Sequence, residues 1–370
     1  MTRPDTADDG ASPSPGEADT PSGPPAALVD VADRVGARLA DILDEEQQRW
    51  RSLDPALDAP LSALARLVLS GGKRLRAAFC HWSFVAAGGD PADPMVLDAG
   101  AAFEFLQAFA LIHDDVMDGS PTRRGVPAIH AEFAEVHRRE GWRGESRRFG
   151  EGVAILAGDV AHVYADRLMS DAPPVALALW HELRIELNVG QYLDIEGTAR
   201  AATDIGTARR ISRYKSGKYT IERPLHVGAA LAGRLDDLDG VLASYGVPLG
   251  EAFQLRDDLL GVYGEEALTG KPVGDDLREG KPTPLLAIAT ERAAPTQLEV
   301  LARVGSPDLD RSDVEAIQTV IDDTGARSHS DERIAALTAE ASAAIEASGL
   351  EPVAVHALAD LATYVGTRRH

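Results

Sequence analysis

Leu111-Ile112-His113-Asp114-Asp115-Val116-Met117-Asp118, continuing to Arg123-Arg124-Gly125, is the stretch on which the reading of this chain turns. Three carboxylates and two guanidinium groups fall within the segment Asp114 to Arg124, directly after an apolar run. Upstream, Ala101 to Ile112 is nearly all apolar with neither Gly nor Pro, which predicts a buried helix that carries Asp114 and Asp118 out at its end. At about 3.6 residues per turn, these two acids stand one turn apart on one face. Like charges so placed destabilise a helix by a few tenths of a kcal/mol, roughly, so the pattern calls for a cation. Oxygen-only ligands point to Mg²⁺, a hard ion usually held by one or two carboxylates while substrate phosphates and waters complete its octahedron. Arginine pairs offer bidentate hydrogen bonds to phosphate, so the whole stretch implies a bound polyanion. The plainer interpretation of such a motif alone is a solvated helix end.

A second helix with paired aspartates weighs against coincidence. Phe253-Gln254-Leu255-Arg256-Asp257-Asp258-Leu259-Leu260-Gly261 repeats the apolar run with an acidic end, well over a hundred residues later. Two such ends facing each other across a cavity would clamp one diphosphate through several Mg²⁺ ions. Basic blocks lie between and around them: Gly71-Gly72-Lys73-Arg74-Leu75-Arg76, Lys215-Ser216-Gly217-Lys218, and Gly270-Lys271 through Gly280-Lys281. The glycine pair lets a backbone approach a bound group closely.

These blocks, in this order from about Leu61 to Leu286, resemble the trans-isoprenyl diphosphate synthases of the short-chain polyprenyl synthetase family, most of all its geranylgeranyl-forming members. Each block alone is a weak signal; the five in order are specific. The resemblance implies Mg²⁺-dependent head-to-tail condensation of isopentenyl diphosphate with an allylic diphosphate (dimethylallyl, geranyl or farnesyl), three Mg²⁺ ions per site and a homodimer. It makes Asp114, Asp115, Asp118, Asp257 and Asp258 metal ligands. It puts Lys73, Arg76, Gln107 and Arg124 at the isopentenyl diphosphate, and Arg123, Lys215 and Ser216 at the allylic one. Gln254, Lys271 and Lys281 are further substrate-binding residues, the two lysines closing over the phosphates. Catalysis falls to Asp114, Asp118, Arg123, Lys215 and Asp257. The chain departs from the family at Gly261, where another aspartate is usual. Whether Asp275 or Asp276 takes its place is open in the sequence.

The chemistry is consistent with this inventory. There is no obvious nucleophile or base, so departure of the diphosphate, favoured by cations and positioning, is the expected mechanism. In the family the released diphosphate then takes the proton from the new product. A class I terpene cyclase would also ionise a prenyl diphosphate, but would not need the second cluster Lys73, Arg76 and Arg124. A non-catalytic partner subunit of a synthase is the other alternative, suggested by Gly261 and opposed by the intact first motif and Lys215.

Composition sets outer bounds. Across 370 residues, 37 Lys and Arg against 59 Asp and Glu leave a formal net charge of −22, which disfavours nucleic acid and anionic membrane surfaces. Basic residues gathered in an acidic chain mark local anion sites. One cysteine, Cys80, excludes an internal disulfide. With no continuous run of about 18 apolar residues and no apolar leader after Met1, a cytoplasmic protein without an integral membrane segment is expected.

Residues 1–25, rich in Pro, Ser, Gly and Asp, are expected to form a disordered tail. Residues 26–370 are expected to form one all-α domain, a helical bundle around a central apolar cavity. Leu28, Val31, Val35, Leu39, Ile42 and Leu43 recur at helical steps, and Ser62 to Leu69 continues them. The charged, glycine-interrupted segment 131–152 reads as a surface connection. Helices follow over Val153 to Met169 and Val175 to Ile195, the second with Asp194 facing either the cavity or solvent. Gly217 and Pro224 are expected to kink the helix that carries Lys215. Further helices cover Leu285 to Ala293, Asp313 to Asp323, Asp331 to Ala347 and Val353 to Val365. The histidines show no metal-ligand spacing.

Product length depends on what fills the space below Asp114. By resemblance, Phe109 and Ala110, an aromatic followed by a small residue, imply a stop near the twenty-carbon product, geranylgeranyl diphosphate; farnesyl or slightly longer products are the alternative. On an ideal helix Ala110 lies about 40° from the Asp114 direction, Leu106 about 80° and Phe109 about 140°, so the wheel alone would not select Phe109. Phe109→Ala is expected to lengthen the products; an unchanged chain-length distribution with labelled isopentenyl diphosphate would remove Phe109 from that role.

Overall fold

The computed structural model describes residues 23–264 and 273–368. Lys271 and most of the expected disordered tail lie outside this range. Apart from one two-stranded hairpin, the described residues form helices and their connections.

The first helices follow the periodicity of the sequence. α1 (Ala26–Leu53) buries Leu28, Val31, Val35, Leu39, Ile42 and Leu43, one stripe of its surface. α2 (Asp58–Leu69) ends at the Gly71-Gly72 loop and α3 (Leu75–Ala86) begins beyond it. α4 (Pro94–Asp118) has Pro94 in its first turn and the Asp93 side chain accepting from the Met95 N–H, and it stops where Gly119 turns left-handed at φ 68°. Phe103, Phe105 and Leu106 are completely buried, each contributing roughly 1.5–3 kcal/mol. α4 is long and apolar enough to cross a membrane, but 61% of its apolar window is buried inside the protein, which makes it a core helix.

After α4 the chain forms a hairpin of β1 (Thr122–Arg123) and β2 (Val126–Pro127), in antiparallel register with Arg123 opposite Val126. Arg124 and Gly125 make its tip with φ of 53° and 75°. α5 (Ile129–Arg139) and α6 (Ser146–Leu168) come next. They overturn the expected surface connection over 131–152. Ile129, Phe133 and His137, spaced four apart, bury one face of α5, and the charged residues occupy the other. Gly150 does not interrupt the helix; a Cβ there would fall 2.0 Å from the His130 carbonyl oxygen, so this glycine lets α5 and α6 touch.

α7 (Pro174–Ala199) and α8 (Ile205–Ile211) lead into a π-helical turn over Ser212–Glu222, continued by α9 (Arg223–Leu231). At the expected kink the chain takes a π-helical form through Gly217, and Lys215 is turned to Asp114 and Asp194. Pro224 sits in the first turn of α9, where its missing N–H costs nothing. Gly217 packs on Gly250 of α10 (Leu235–Tyr263), a Cβ on either meeting the other's backbone at 3.1–3.3 Å. The wide π turn, a form frequent at functional sites, carries Lys215 and Ser216.

The remaining helices are α11 (Asp275–Glu279), α12 (Pro284–Arg292), α13 (Pro295–Leu301), α14 (Arg311–Asp323), α15 (Ala326–Glu346) and α16 (Pro352–Thr367). α4 packs most extensively on α6, and α10 on α15 and the π segment. One apolar cluster joins α1, α3, α4, α6 and α9; a second surrounds Leu259, Val262, Ile317 and Leu337.

Candidate active site

The last turn of α4 presents three aspartates in three different settings. Asp115 is buried and accepts from Arg123 Nε at 2.8 Å, so it anchors the hairpin to the helix. Asp114 accepts from Gln191 Nε2 of α7 at 2.9 Å and from Lys215 Nζ at 3.1 Å. Asp118 faces Lys281 Nζ at 3.4 Å. Lys215 also donates to Asp194 Oδ2 at 2.5 Å, which puts Asp194 with the acidic cluster and not in solvent. Lys281 is bound in turn by Glu279 at 2.5 Å.

Burial and neighbouring charge drive the first pair of acids apart. Burial disfavours the charge on Asp114, but Lys215, Lys281 and Arg123 outweigh it and hold the carboxyl at about 2. Burial, then the charge on Asp114, pushes Asp118 up to about 6. One group is thus ionised throughout the working range, while its neighbour gives up its proton only near pH 6.

Close backbone contact sets the position of Lys215. A Cβ on Gly190 would stand 2.4 Å from the Lys215 backbone nitrogen, so only a glycine lets α7 and the π turn approach this closely. Ser216 lies half-buried beside Lys215.

The second acidic end has a different counter-ion. Asp257 pairs with Arg368 at 2.5 Å, and Arg368 also donates to the Phe253 carbonyl at 3.1 Å and lies 4.3 Å over the Phe253 ring. Asp258 is buried, accepts from Gln254 Nε2 at 2.6 Å, and has an Oδ2 with no partner. Burial, with the nearby charges of Asp276, Asp257 and Asp194, drives the Asp258 carboxyl well above the usual range. The two acidic ends therefore share one electrostatic field, linked through Asp194 and Lys215. Gln254 also lines a separate cavity of about 280 Å³ beside α8, α10 and α15, and no motif aspartate borders that cavity.

A third group collects around the glycine loop. Arg123 ends β1 and Arg124 begins the left-handed tip of the hairpin, and the two guanidinium groups go to different partners. Arg124 donates to the Gly71 carbonyl and, at 3.1 Å, to Ser70 Oγ. Arg76 donates to Thr220 Oγ1 at 2.9 Å and lies 4.3 Å over the Tyr219 ring, while its Nε is buried without a partner. Burial, then repulsion from Arg368, lowers Lys73 to about 8. Gln107 is half-buried with its carbonyl oxygen unpartnered. Arg74 is structural: it is buried, pairs with Glu104 at 2.5 Å and donates to the Val68 carbonyl at 2.7 Å.

One turn before His113, Phe109 stacks on His162 of α6 at 4.6 Å and 20°, and meets the His113 ring at 4.6 Å and 60°. His162 in turn meets Arg184 at 3.1 Å. Ala110 is half-buried, whereas Leu106 is sealed in the core.

Among the described residues no three acidic, histidine or cysteine side chains converge into a ready-made metal cage. The oxygen donors instead stand at two helix ends, bridged by ammonium and guanidinium groups, and Asp258 keeps a buried unpaired oxygen. This set fits Mg²⁺ ions that are assembled together with substrate phosphates.

Sequence reasoning did not find Glu104, Gln191 or Arg368. Glu104, a lone acid in an apolar helix, was a readable signal of a buried ion pair. Arg368 had none, because only the docking of α16 against α10 brings it to Asp257.

An all-α bundle with two acid-ended helices and two clusters of cations is the arrangement expected of an enzyme that works on diphosphates. The polyprenyl synthetase family model matches residues 58–323. A geranylfarnesyl diphosphate synthase of Aeropyrum pernix is 30% identical over 79% of this chain and 88% of its own length. A geranylgeranyl diphosphate synthase of Mycobacterium tuberculosis is 34% identical over 73% of this chain and 75% of its own. A solved geranylgeranyl pyrophosphate synthase from Corynebacterium glutamicum, complexed with isoprenyl diphosphate and magnesium, superposes with a TM-score of 0.87 at 38% identity, covering 92% of this chain and 99% of that one. The chain belongs to the polyprenyl synthetase family and is a prenyltransferase that elongates prenyl diphosphates.

Because Gly190 sets the position of Lys215, Gly190→Ala is expected to lower kcat by up to about 100-fold while circular dichroism stays unchanged, since a displacement near 1 Å can cost that much. A variant with wild-type kcat would show that the close contact is dispensable.

Proposed function

We propose that the protein condenses isopentenyl diphosphate with an allylic diphosphate and releases geranylgeranyl diphosphate. One observation supports this reading: cations gather in two groups, Lys215 between Asp114 and Asp194 at the first acidic end, and Arg76 and Arg124, with Lys73, around the glycine loop.

The allylic diphosphate binds between Asp114, Asp118 and Asp257, with Arg123, Lys215, Ser216 and Lys281 around it. Lys271 and Gln254 belong to the same binding set by family likeness. Mg²⁺, taken as three ions, neutralises the charge that develops on the leaving diphosphate. As the C–O bond breaks, its electron pair leaves with the diphosphate, and Lys215 and Arg123 stabilise that charge. Lys73, Arg76, Arg124 and Gln107 hold isopentenyl diphosphate so that its double bond attacks the allylic carbon. Loss of a proton from the adduct restores a double bond.

Phe109, packed against two imidazoles, is a rigid candidate for the floor of the hydrocarbon space, which supports the twenty-carbon product. Ala110 and Leu106 belong to the same chain-length set by family likeness. The helical unit from residue 26 to 370 acts as one domain, as a homodimer in the cytoplasm. Exposed Ile185, Val189 and Tyr192, at i, i+4 and i+7 on α7, together with Leu156 and Val163 on α6, support an apolar face covered by a second copy.

Purified protein given Mg²⁺, labelled isopentenyl diphosphate and each allylic primer is expected to consume both substrates and yield mainly the twenty-carbon diphosphate. Cyclised hydrocarbon without isopentenyl diphosphate consumption, or no turnover by the protein alone, would overturn the assignment. The pH profile provides a separate check. Lys73 is lowered to about 8, so it is charged below that pH and neutral above it. For isopentenyl diphosphate, kcat/KM is therefore expected to fall above pH 8 by about tenfold per unit, and Lys73→Arg is expected to remove that limb.

A further inference from the structure

The segment that carries Lys215 departs from α-helix, and a side chain on a neighbouring helix accounts for the form it takes. The Arg223 N–H donates to the Lys218 carbonyl, five residues back, which is the bond of a π-helix and closes the run Ser212–Glu222. That form is rare and appears mostly as single turns, so an interaction from outside the backbone is needed to favour it. Gly190 makes room for the turn beside α7, but room alone does not choose a register.

Glu186 supplies that interaction. It lies on α7 one turn before Gly190, on the face that meets the π segment. Its buried carboxylate accepts through Oε1 from Lys218 Nζ and, at 2.7 Å, from Arg223 Nη2, and through Oε2 from Arg223 Nε at 2.7 Å. These are the same two residues that the π hydrogen bond joins. In an α-helix residues five apart point about 140° away from each other, which leaves one carboxylate poorly placed to take both side chains. With the π bond formed, both reach it. Burial disfavours the charge on Glu186, but the hydrogen bonds from Arg223 and Lys218 outweigh it and hold the carboxyl below its usual range, so it meets the two cations as an anion. Glu222 approaches Lys218 only to 3.8 Å and adds little to the clamp.

The effect reaches the acidic mouth along three residues of main chain. Lys215 precedes Lys218 by three, and its ammonium group stands 3.1 Å from Asp114 and 2.5 Å from Asp194. A slip of one residue turns a helical side chain by about 100°, so returning the segment to α register would swing Lys215 away from both carboxylates. We propose that Glu186 is a positioning residue for Lys215: by binding Lys218 and Arg223 together it selects the π register that turns the Lys215 ammonium group to Asp114 and Asp194. This rests on reading Lys215 and Asp114 as part of a diphosphate site.

A double-mutant cycle on the full-length protein separates positioning from plain stabilisation. Glu186→Gln is expected to lower kcat by about 10- to 100-fold, the scale of a displacement near 1 Å, and Lys215→Met by about 100- to 1000-fold. Glu186→Gln combined with Lys215→Met is expected to stay within about threefold of Lys215→Met alone, because a group that is already absent cannot be misplaced. Binding of inorganic diphosphate with Mg²⁺, followed by isothermal titration calorimetry, is expected to show the same non-additivity without turnover. Losses that multiply in the double variant, or wild-type kcat and diphosphate affinity in Glu186→Gln, would overturn the proposal. Should Glu186→Gln fail to fold by circular dichroism, Lys218→Gln takes its place in the cycle, since it removes one arm of the clamp and leaves Glu186 paired with Arg223; the same loss and non-additivity are expected, and wild-type values would overturn the proposal. Wild-type protein that binds diphosphate but does not turn over both substrates would overturn the proposed reaction alone, and the binding cycle would then decide the role of Glu186. Wild-type protein that binds no diphosphate would overturn both.

Discussion

Carboxylates packed into a poorly solvated mouth must be neutralised, and nearly everything distinctive in this structure follows from that requirement. Asp114, Asp118, Asp194, Asp257 and Asp258 share one field, and Lys215, Lys281 and Arg368 stand among them as resident cations. A buried charge without a partner is severely disfavoured, so each acid either takes a counter-ion or resists ionisation. Asp114 takes the first course and Asp258 the second. Divalent cations arriving with a diphosphate would enter a site whose own ammonium groups already mark where positive charge is needed.

The scaffold meets this requirement by close backbone contact. Gly190 lets α7 reach the π turn, and Gly217 and Gly250 let that turn reach α10, so Lys215 is delivered between two carboxylates by main-chain packing. The hairpin after α4 separates two adjacent arginines, sending Arg123 to the acidic mouth and Arg124 to the glycine loop. Precision of this kind suits an enzyme whose contribution to rate is positioning and electrostatics.

Helices whose apolar residues recur at helical steps were readable from the chain, as in α1, where each predicted core residue is buried. The segment 131–152 was misread because its charged residues mask a stripe of Ile129, Phe133 and His137, and because a glycine that mediates helix contact looks in sequence like one that ends a helix. At Gly217 the departure from regular helix takes the form of a π turn. Asp115, a metal ligand by resemblance, points about 100° away from Asp114 on the helix and accepts from Arg123.

Local order along the chain determined the all-helical class, the two acidic ends and the basic blocks, because periodicity and motif spacing are properties of neighbouring residues. Tertiary structure alone decided which acids meet which cations. Asp194 with Lys215 and Arg368 with Asp257 are separated by 21 and 111 positions and are joined only by helix docking. Sequence shows the charges, but burial and distance set their partners, and neither exists until the helices have packed.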